Sequence, residues 1–445
     1  MFNDSVDQPT AGVSEEHDNT GDLSVVRELQ SVPDAARIQA IDVARGIALL
    51  GIFFVNAEIF GQPFGSILEP SVPTDEGSLS VTIFWFTNIV CAGKFYPLFS
   101  ILFGAGLAMM FESARRRGRS FEAMFIRRLG LLAIFGMAHI VLLWPGDILL
   151  VYAGVGLWML WLGRYSARTL IKIAGIVYGV GLCIVSLSIL IIVAMAGMSA
   201  SDQVIKEMPQ GDTLLGKYFQ VLVDWNETEQ FDSRIIELEK KIMTRGPFLS
   251  AAVVRVVNYL LAAPFIFLML FWVILPCFCV GAALQKSGFL QGKLPEWNQR
   301  LIKLGFFVGF PLSLSGAIAG LSFNSSMLLA LSTLTTMLGG PLMSLMYLSL
   351  IMQWCKTRQA RWLQDIFAKA GRMALSCYLL ESLLMSAVMM HWGLARFGNN
   401  TWLERAVWLL GIYGAILLFA NLWQRFFRLG PLEWIWRVFT YWRFS

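Results

Sequence analysis

Charge is what this sequence has least of. Asp, Glu, Lys and Arg supply 15% of its 445 residues, against about 25% in a soluble protein. A soluble globular domain is excluded on that ground. Histidine is scarce too, with three copies, His17, His139 and His391. The six cysteines, Cys91, Cys183, Cys277, Cys279, Cys355 and Cys377, show neither metal-ligand nor secreted-framework spacing. They read as small apolar side chains, and no metal is predicted. The N-terminus lacks the apolar stretch of a signal peptide. Residues 1–36 are polar and read as a flexible tail, with His17 inside it. The short alternating segments of a transmembrane barrel are missing as well. The net charge of +5 carries no nucleic-acid signal.

What the sequence does have is apolar runs. Hydrophobic residues make up 56% of the chain, and many runs reach the roughly 20 residues needed to cross a bilayer. The fold class is therefore all-α, a polytopic membrane bundle of about ten transmembrane helices in contact with lipid. The spans fall at 38–60, 83–111, 123–143, 147–163, 170–197, 256–284, 301–322, 327–354, 373–391 and 402–424. Together they define a domain over 37–425, followed by a basic aromatic tail over 426–445. One long loop, about 198–250, holds the amphipathic stretch SRIIELEKKIMTR, an interfacial helix or a lid.

Basic residues fix an orientation. The connections on one side, with the C-terminal tail, hold 22 of the 35 Lys and Arg. The short connections on the other side hold only Arg396. The positive-inside rule then places both termini in the cytoplasm and the long loop outside.

Ionisable groups within the spans are costly and mark functional candidates. In IDVARGIALLGIFFVN, Asp42 and Arg45 share a helix face at i and i+3. Asn56 lies eleven residues beyond Arg45, three turns and about 16 Å along the same face. These groups are either an interfacial ion pair with a capping amide or one wall of a binding passage. Lys94 either snorkels to the interface or holds an anionic ligand group. His139 and Asp147 lie eight apart around the WPG turn, on adjacent antiparallel helices. Asp147 either caps its helix or orients His139 as a general base. Glu381 sits near mid-bilayer and needs a partner or a proton. Glu404 and Arg405 read as an interface ion pair, and the glycines of FGAG as close helix contacts.

Five blocks, IDVARGIALLGIFFVN, GKFYPLFSILFGAGLAM, RRLGLLAIFGMAHIVLLWPGDILLVYA, AGRMALSCYLLESLL and GPLEWIWRVFTYWR, resemble the YeiB-like bacterial inner-membrane family, a family defined as a domain of unknown function. That family is similar to the transmembrane acyltransferases, which include the lysosomal heparan-α-glucosaminide N-acetyltransferase and bacterial O-acyltransferases. The resemblance implies a bacterial inner-membrane location. It also implies transfer of an acyl group from cytoplasmic acyl-CoA, such as acetyl-CoA, to an acceptor on the far side, an envelope glycan. The D-x-x-R-G pattern with a polar residue eleven after Arg falls on Asp42, Arg45, Gly46 and Asn56. Those enzymes carry a histidine at or shortly after the position of Asn56. NAEIFGQPFGSILEPS has none, so His139 or His391 must serve instead. On this reading His139, Asp147 and Asn56 are the catalytic candidates, and Arg45, Asp42 and Lys94 face the acyl-CoA. The alternative is a proton-coupled transporter built around Glu381 and Asp42; a structural membrane subunit is the third option. The sequence leaves the oligomeric state open, a homodimer included.

Overall fold

The computed structural model describes residues 39–68, 72–116, 121–196, 213–225, 233–320, 326–357 and 359–441. The N-terminal tail and parts of the long loop lie outside them. Among the described residues all regular structure is helical, as a chain that must satisfy its own backbone in lipid requires. The helices are α1 (Gln39–Phe60), α2 (Ser78–Phe86), α3 (Phe95–Arg116), α4 (Phe121–Leu142), α5 (Leu149–Gly156), α6 (Met159–Leu162), α7 (Ala167–Ala196), α8 (Leu214–Trp225), α9 (Ser233–Arg245), α10 (Phe248–Lys286), α11 (Pro295–Leu304), α12 (Phe310–Ala319), α13 (Ser326–Lys356), α14 (Arg361–Arg372), α15 (Ala374–Met389), α16 (Trp402–Trp423) and α17 (Pro431–Tyr441). π-helical turns join α2 towards α3 and α11 to α12.

Among the described residues eight helices, counting α2 with α3 and α11 with α12, are long and apolar enough to span a membrane. They become nine if α14 and α15, bent by 85° at their junction, form one span. The span expected at 147–163 is the exception. It is two short helices, α5 and α6, broken at Leu157 and Trp158. It still runs from end to end, because Asp147 meets His139 at one end while the carbonyls of Gly163 and Tyr165 accept from Lys286 at the other. As continuous helix its 17 residues would cover about 25 Å, less than the roughly 30 Å of hydrocarbon.

Outward faces are apolar and exposed, as on α7 (Leu187, Leu190), the α11–α12 junction (Phe306, Phe307) and α16 (Val407, Leu418). Lipid is the medium that removes their exposure cost. Inside, α3 packs on α10 through close approach: a Cβ at Gly104 would fall on the Phe278 carbonyl, and one at Gly281 on that of Ile101. Cys277 and Cys279 are buried free thiols of α10.

The two ends differ. At the basic end α17 folds back, so that Trp436 donates its indole N–H to the Arg128 carbonyl and Glu433 accepts the N–H groups of Leu375 and Ser376 at the start of α15. The C-terminal tail is thus largely a docked helix. The other end is covered by α9. Ile235, Leu238, Ile242 and Met243 of α9 are buried, and the Met243 carbonyl accepts from the His391 N–H at 2.8 Å. The amphipathic stretch of the long loop is therefore a lid on the bundle.

Candidate functional site

The C-terminal turn of α4 carries His139, and the following turn delivers Asp147 to the start of α5. His139 Nδ1 lies 2.8 Å from Asp147 Oδ2, and both side chains have no exposure. Asp147 Oδ1 accepts the Leu150 N–H at 2.7 Å. Capping and imidazole orientation, alternatives in the sequence, occur together on the two oxygens of one carboxylate. Gly136, one turn before His139, makes room: a Cβ there would stand 2.7 Å from both Asp147 Oδ1 and the Leu150 nitrogen. An ionised Asp147 fixes the proton on Nδ1 and leaves the lone pair on Nε2. His139 Nε2 is buried and, among the described residues, has no partner. The Tyr378 ring lies 5.2 Å from the imidazole and the Trp144 ring 6.3 Å.

Polar groups continue from this dyad into the core. Tyr152 of α5 pairs with Ser100 at 2.7 Å and donates to the Tyr96 carbonyl at 3.1 Å. Glu381, buried with Oε1 unpartnered among the described residues, interacts electrostatically with Cys377, Tyr378 and Tyr413. Tyr413 donates to the Gly46 carbonyl at 2.5 Å. Towards the basic end Arg45 pairs with Asp42 at 3.4 Å and donates to the Leu102 carbonyl at 3.5 Å. Its side chain is 23% exposed against 4% for Asp42. Arg128 is close enough to Arg45 to repel it and lies 3.8 Å over the Trp436 ring.

Three expectations change. Lys94 does not snorkel. It is fully buried, and its Nζ donates to the Asn88 carbonyl at 2.9 Å. The helix breaks at Ala92, which leaves that carbonyl to the ammonium, and the Lys94 carbonyl in turn accepts from Ser344. Asn56 is half-buried and, among the described residues, has no hydrogen bond to His139 or Asp147. Only its helix end reaches the dyad's loop, through Phe60 stacked on Trp144 at 4.1 Å. Glu404 and Arg405 are not paired. Glu404 closes a capping box with Thr401 and binds Arg396 at 2.9 Å. Arg405 instead donates to Asn400 Oδ1 at 2.9 Å and lines, with Glu58, Thr87 and Trp402, a small pocket between α1, α2 and α16.

Residues 284–443 match a family model described as "Protein of unknown function (DUF418)". YeiB of Escherichia coli (strain K12), described as uncharacterized, is 30% identical over 414 residues, which are 90% of this chain and 95% of that protein. This chain belongs to the YeiB (DUF418) family. YxaH of Bacillus subtilis (strain 168) is 26% identical, covering 93% of this chain and 96% of its own. A 39.9 kDa protein in the amylase 3' region of Bacillus acidopullulyticus is 28% identical, covering 91% and 94%. No solved structure matches. The segment matched by the family model holds Tyr378, Glu381 and Tyr413; His139 and Asp147 lie outside it, within the reach of the full-length relatives.

In this YeiB-family chain the lid is latched by one carboxylate. Glu239 of α9 is buried and accepts from the Phe64 N–H at 3.0 Å and from Asn258 at 2.9 Å. Asn258 is itself held by the Tyr218 hydroxyl at 2.9 Å. Burial pushes Glu239 up to about 7, against the pull of its two hydrogen bonds. A folded pKa above the ordinary 4.5 means that the docked lid favours the protonated acid. Docking is fully stable below about pH 4.5 and weakens as pH rises through about 7. Amide exchange over 233–245, corrected for intrinsic rate, is expected to quicken between about pH 5 and pH 8. Glu239→Gln removes the dependence; an unchanged pH response in that variant assigns it to another group.

Sequence reasoning missed Tyr152, Tyr378, Arg128 and Arg255. Tyr378 was detectable, since it stands three residues before Glu381 on one helix face. Arg128 counted only as a loop charge, because its proximity to Arg45 is a tertiary fact.

Proposed function

We propose that this membrane protein is an acyltransferase that carries an acyl group from acyl-CoA, entering at the basic end, to a hydroxyl or amine at the lidded end. The observation that carries this reading is the His139–Asp147 dyad with its unpartnered Nε2. In the proposed step Nε2 takes the proton of the acceptor O–H or N–H. The acceptor atom attacks the thioester carbonyl, the C–S bond breaks, and the leaving thiolate receives the proton from the imidazolium. Asp147 holds the tautomer and stabilises the imidazolium. Arg45, with Arg128 beside it, is suited to the phosphates of CoA by its fork geometry. Asn56 is the side chain assigned to the oxyanion; Lys94, committed to Asn88, is not. The basic end then faces the cytoplasm of a bacterial inner membrane, and the acceptor is an envelope glycan.

A proton-coupled carrier is the second reading, and buried Glu381 with its unpartnered oxygen favours it. Acetyl-CoA binding to the purified chain separates the two. The native protein should bind, and Arg45→Ala should bind roughly tenfold or more weakly, since a hydrogen bond to a charged group contributes about 1.5–3 kcal/mol. Equal binding by both forms removes the role of Arg45. No binding by either leaves the carrier.

A further inference from the structure

Among the described residues Arg255 forms no ion pair. Arg255 of α10 is fully buried and among the largest side chains with no exposure. Its Nε and Nη2 donate to a single acceptor, the Val141 carbonyl, at 3.1 and 2.9 Å. Its remaining nitrogen, Nη1, is buried without a partner, and among the described residues no carboxylate forms an ion pair with it. Val141 stands in the last turn of α4, where carbonyls lack helical donors and the helix end favours a cation. That contact accounts for one edge of the guanidinium. It does not replace a counter-ion for a charge removed from water. The lid offers none, because Glu239 spends its oxygens on Phe64 and Asn258.

The surroundings point the same way. Asn258 and Tyr259 follow Arg255 at i+3 and i+4, on the same face of α10. Asn258 binds the lid, and Tyr259 is close enough to Asp147 to feel its charge. The Tyr259 hydroxyl is buried without a partner, as are His139 Nε2 and His391 Nδ1. The Phe248 ring joins this group, 5.3 Å from the Arg255 guanidinium and 6.3 Å from the His391 ring. Arg255 is thus tied through Val141 to the helix turn that carries His139, and through its own helix to the lid and to Asp147. Unpaired cationic and hydroxyl donors beneath a cover fit a ligand rich in acceptors.

We propose that Arg255 binds an oxyanion, a carboxylate or a phosphate, carried by the molecule on which His139 acts. The acceptor is acidic, a clause that rests on the acyl-transfer reading; the anion site itself does not. Because Arg255 has no exposure, the ligand reaches it when α9 lifts.

The test uses the full chain in phosphatidylcholine nanodiscs, with glucose, glucose 6-phosphate and glucuronate as probes. Native protein should bind the anionic sugars at least tenfold more tightly than glucose, or bind discs doped with phosphatidylglycerol in their place if the phosphate belongs to a lipid headgroup. Arg255→Gln should lose the discrimination and Arg255→Lys should keep part of it. Should Arg255→Gln fail to fold, exchange over 233–245 in the native chain gives the answer, since glucose 6-phosphate or glucuronate should slow it and glucose should not. Equal binding of neutral and anionic probes by the native chain, or discrimination that survives Arg255→Gln, overturns the site and leaves water as its occupant. Gly411→Ala, where nothing stands within 4 Å of the added carbon, should discriminate like the native chain. Discrimination without any acyl transfer keeps the anion site and removes the transferase reading; full-rate transfer to a neutral acceptor keeps the transferase and removes the acidic acceptor.

Discussion

His139→Ala is expected to lower acyl transfer by roughly 10²–10⁴-fold, the usual contribution of a positioned general base, while acetyl-CoA binding stays near native. The separation follows from placement. Arg45 lies on the Leu102 side of α1, towards the basic end, whereas His139 sits at the lidded end. Asp147→Asn should also be slow, because an amide no longer enforces the Nδ1–H tautomer. Its oxygen can still accept from Leu150, so the start of α5 survives. The measurement is single-turnover transfer from labelled acetyl-CoA to envelope glycans, with unfolding temperature as a control. Transfer at the native rate by folded His139→Ala would falsify the assignment of the base.

Gly371→Leu should prevent accumulation of folded protein. Helix α14 crosses α1 with backbone on backbone. A Cβ at Gly371 would fall on the Asp42 carbonyl oxygen, and at 2.8 Å from both the Asp42 carbon and the Gly46 nitrogen. The contact is reciprocal, since a Cβ at Gly46 would fall on the Phe367 carbonyl. Overpacking a core costs about 1–3 kcal/mol when side chains can move aside. Here the obstacle is main chain on both sides, so the cost exceeds that range and the helices must separate. Asp42 and Arg45 would shift with them. Gly411→Ala is the control, because nothing stands within 4 Å of its added carbon. Native thermal stability in Gly371→Leu would show that the crossing is looser than drawn.

The glycine of D-x-x-R-G therefore serves the helix crossing, while the arginine beside it faces the basic end. Sequence could place both on one span, since apolar runs mark helices directly. It could also place His139 against Asp147, because a Pro-Gly turn between two spans brings their facing ends together. It could not see why Lys94 stays inside, since the break at Ala92 that frees the Asn88 carbonyl has no period of its own. Nor could it single out Arg255, which forms no ion pair among the described residues, a property of every helix packed around it. Glu404 and Arg405 misled for the opposite reason: neighbours in sequence, they point to different partners around the helix.

The two short helices α5 and α6 have a consequence for the lipid. A segment that would rise about 25 Å as helix, on the dyad's own crossing, is shorter than ordinary acyl chains are thick, a mismatch that local thinning of the bilayer relieves. The protein would then carry a local thinning with it, and donor and acceptor would be brought nearer each other by the shape of the membrane as well as by the side chains.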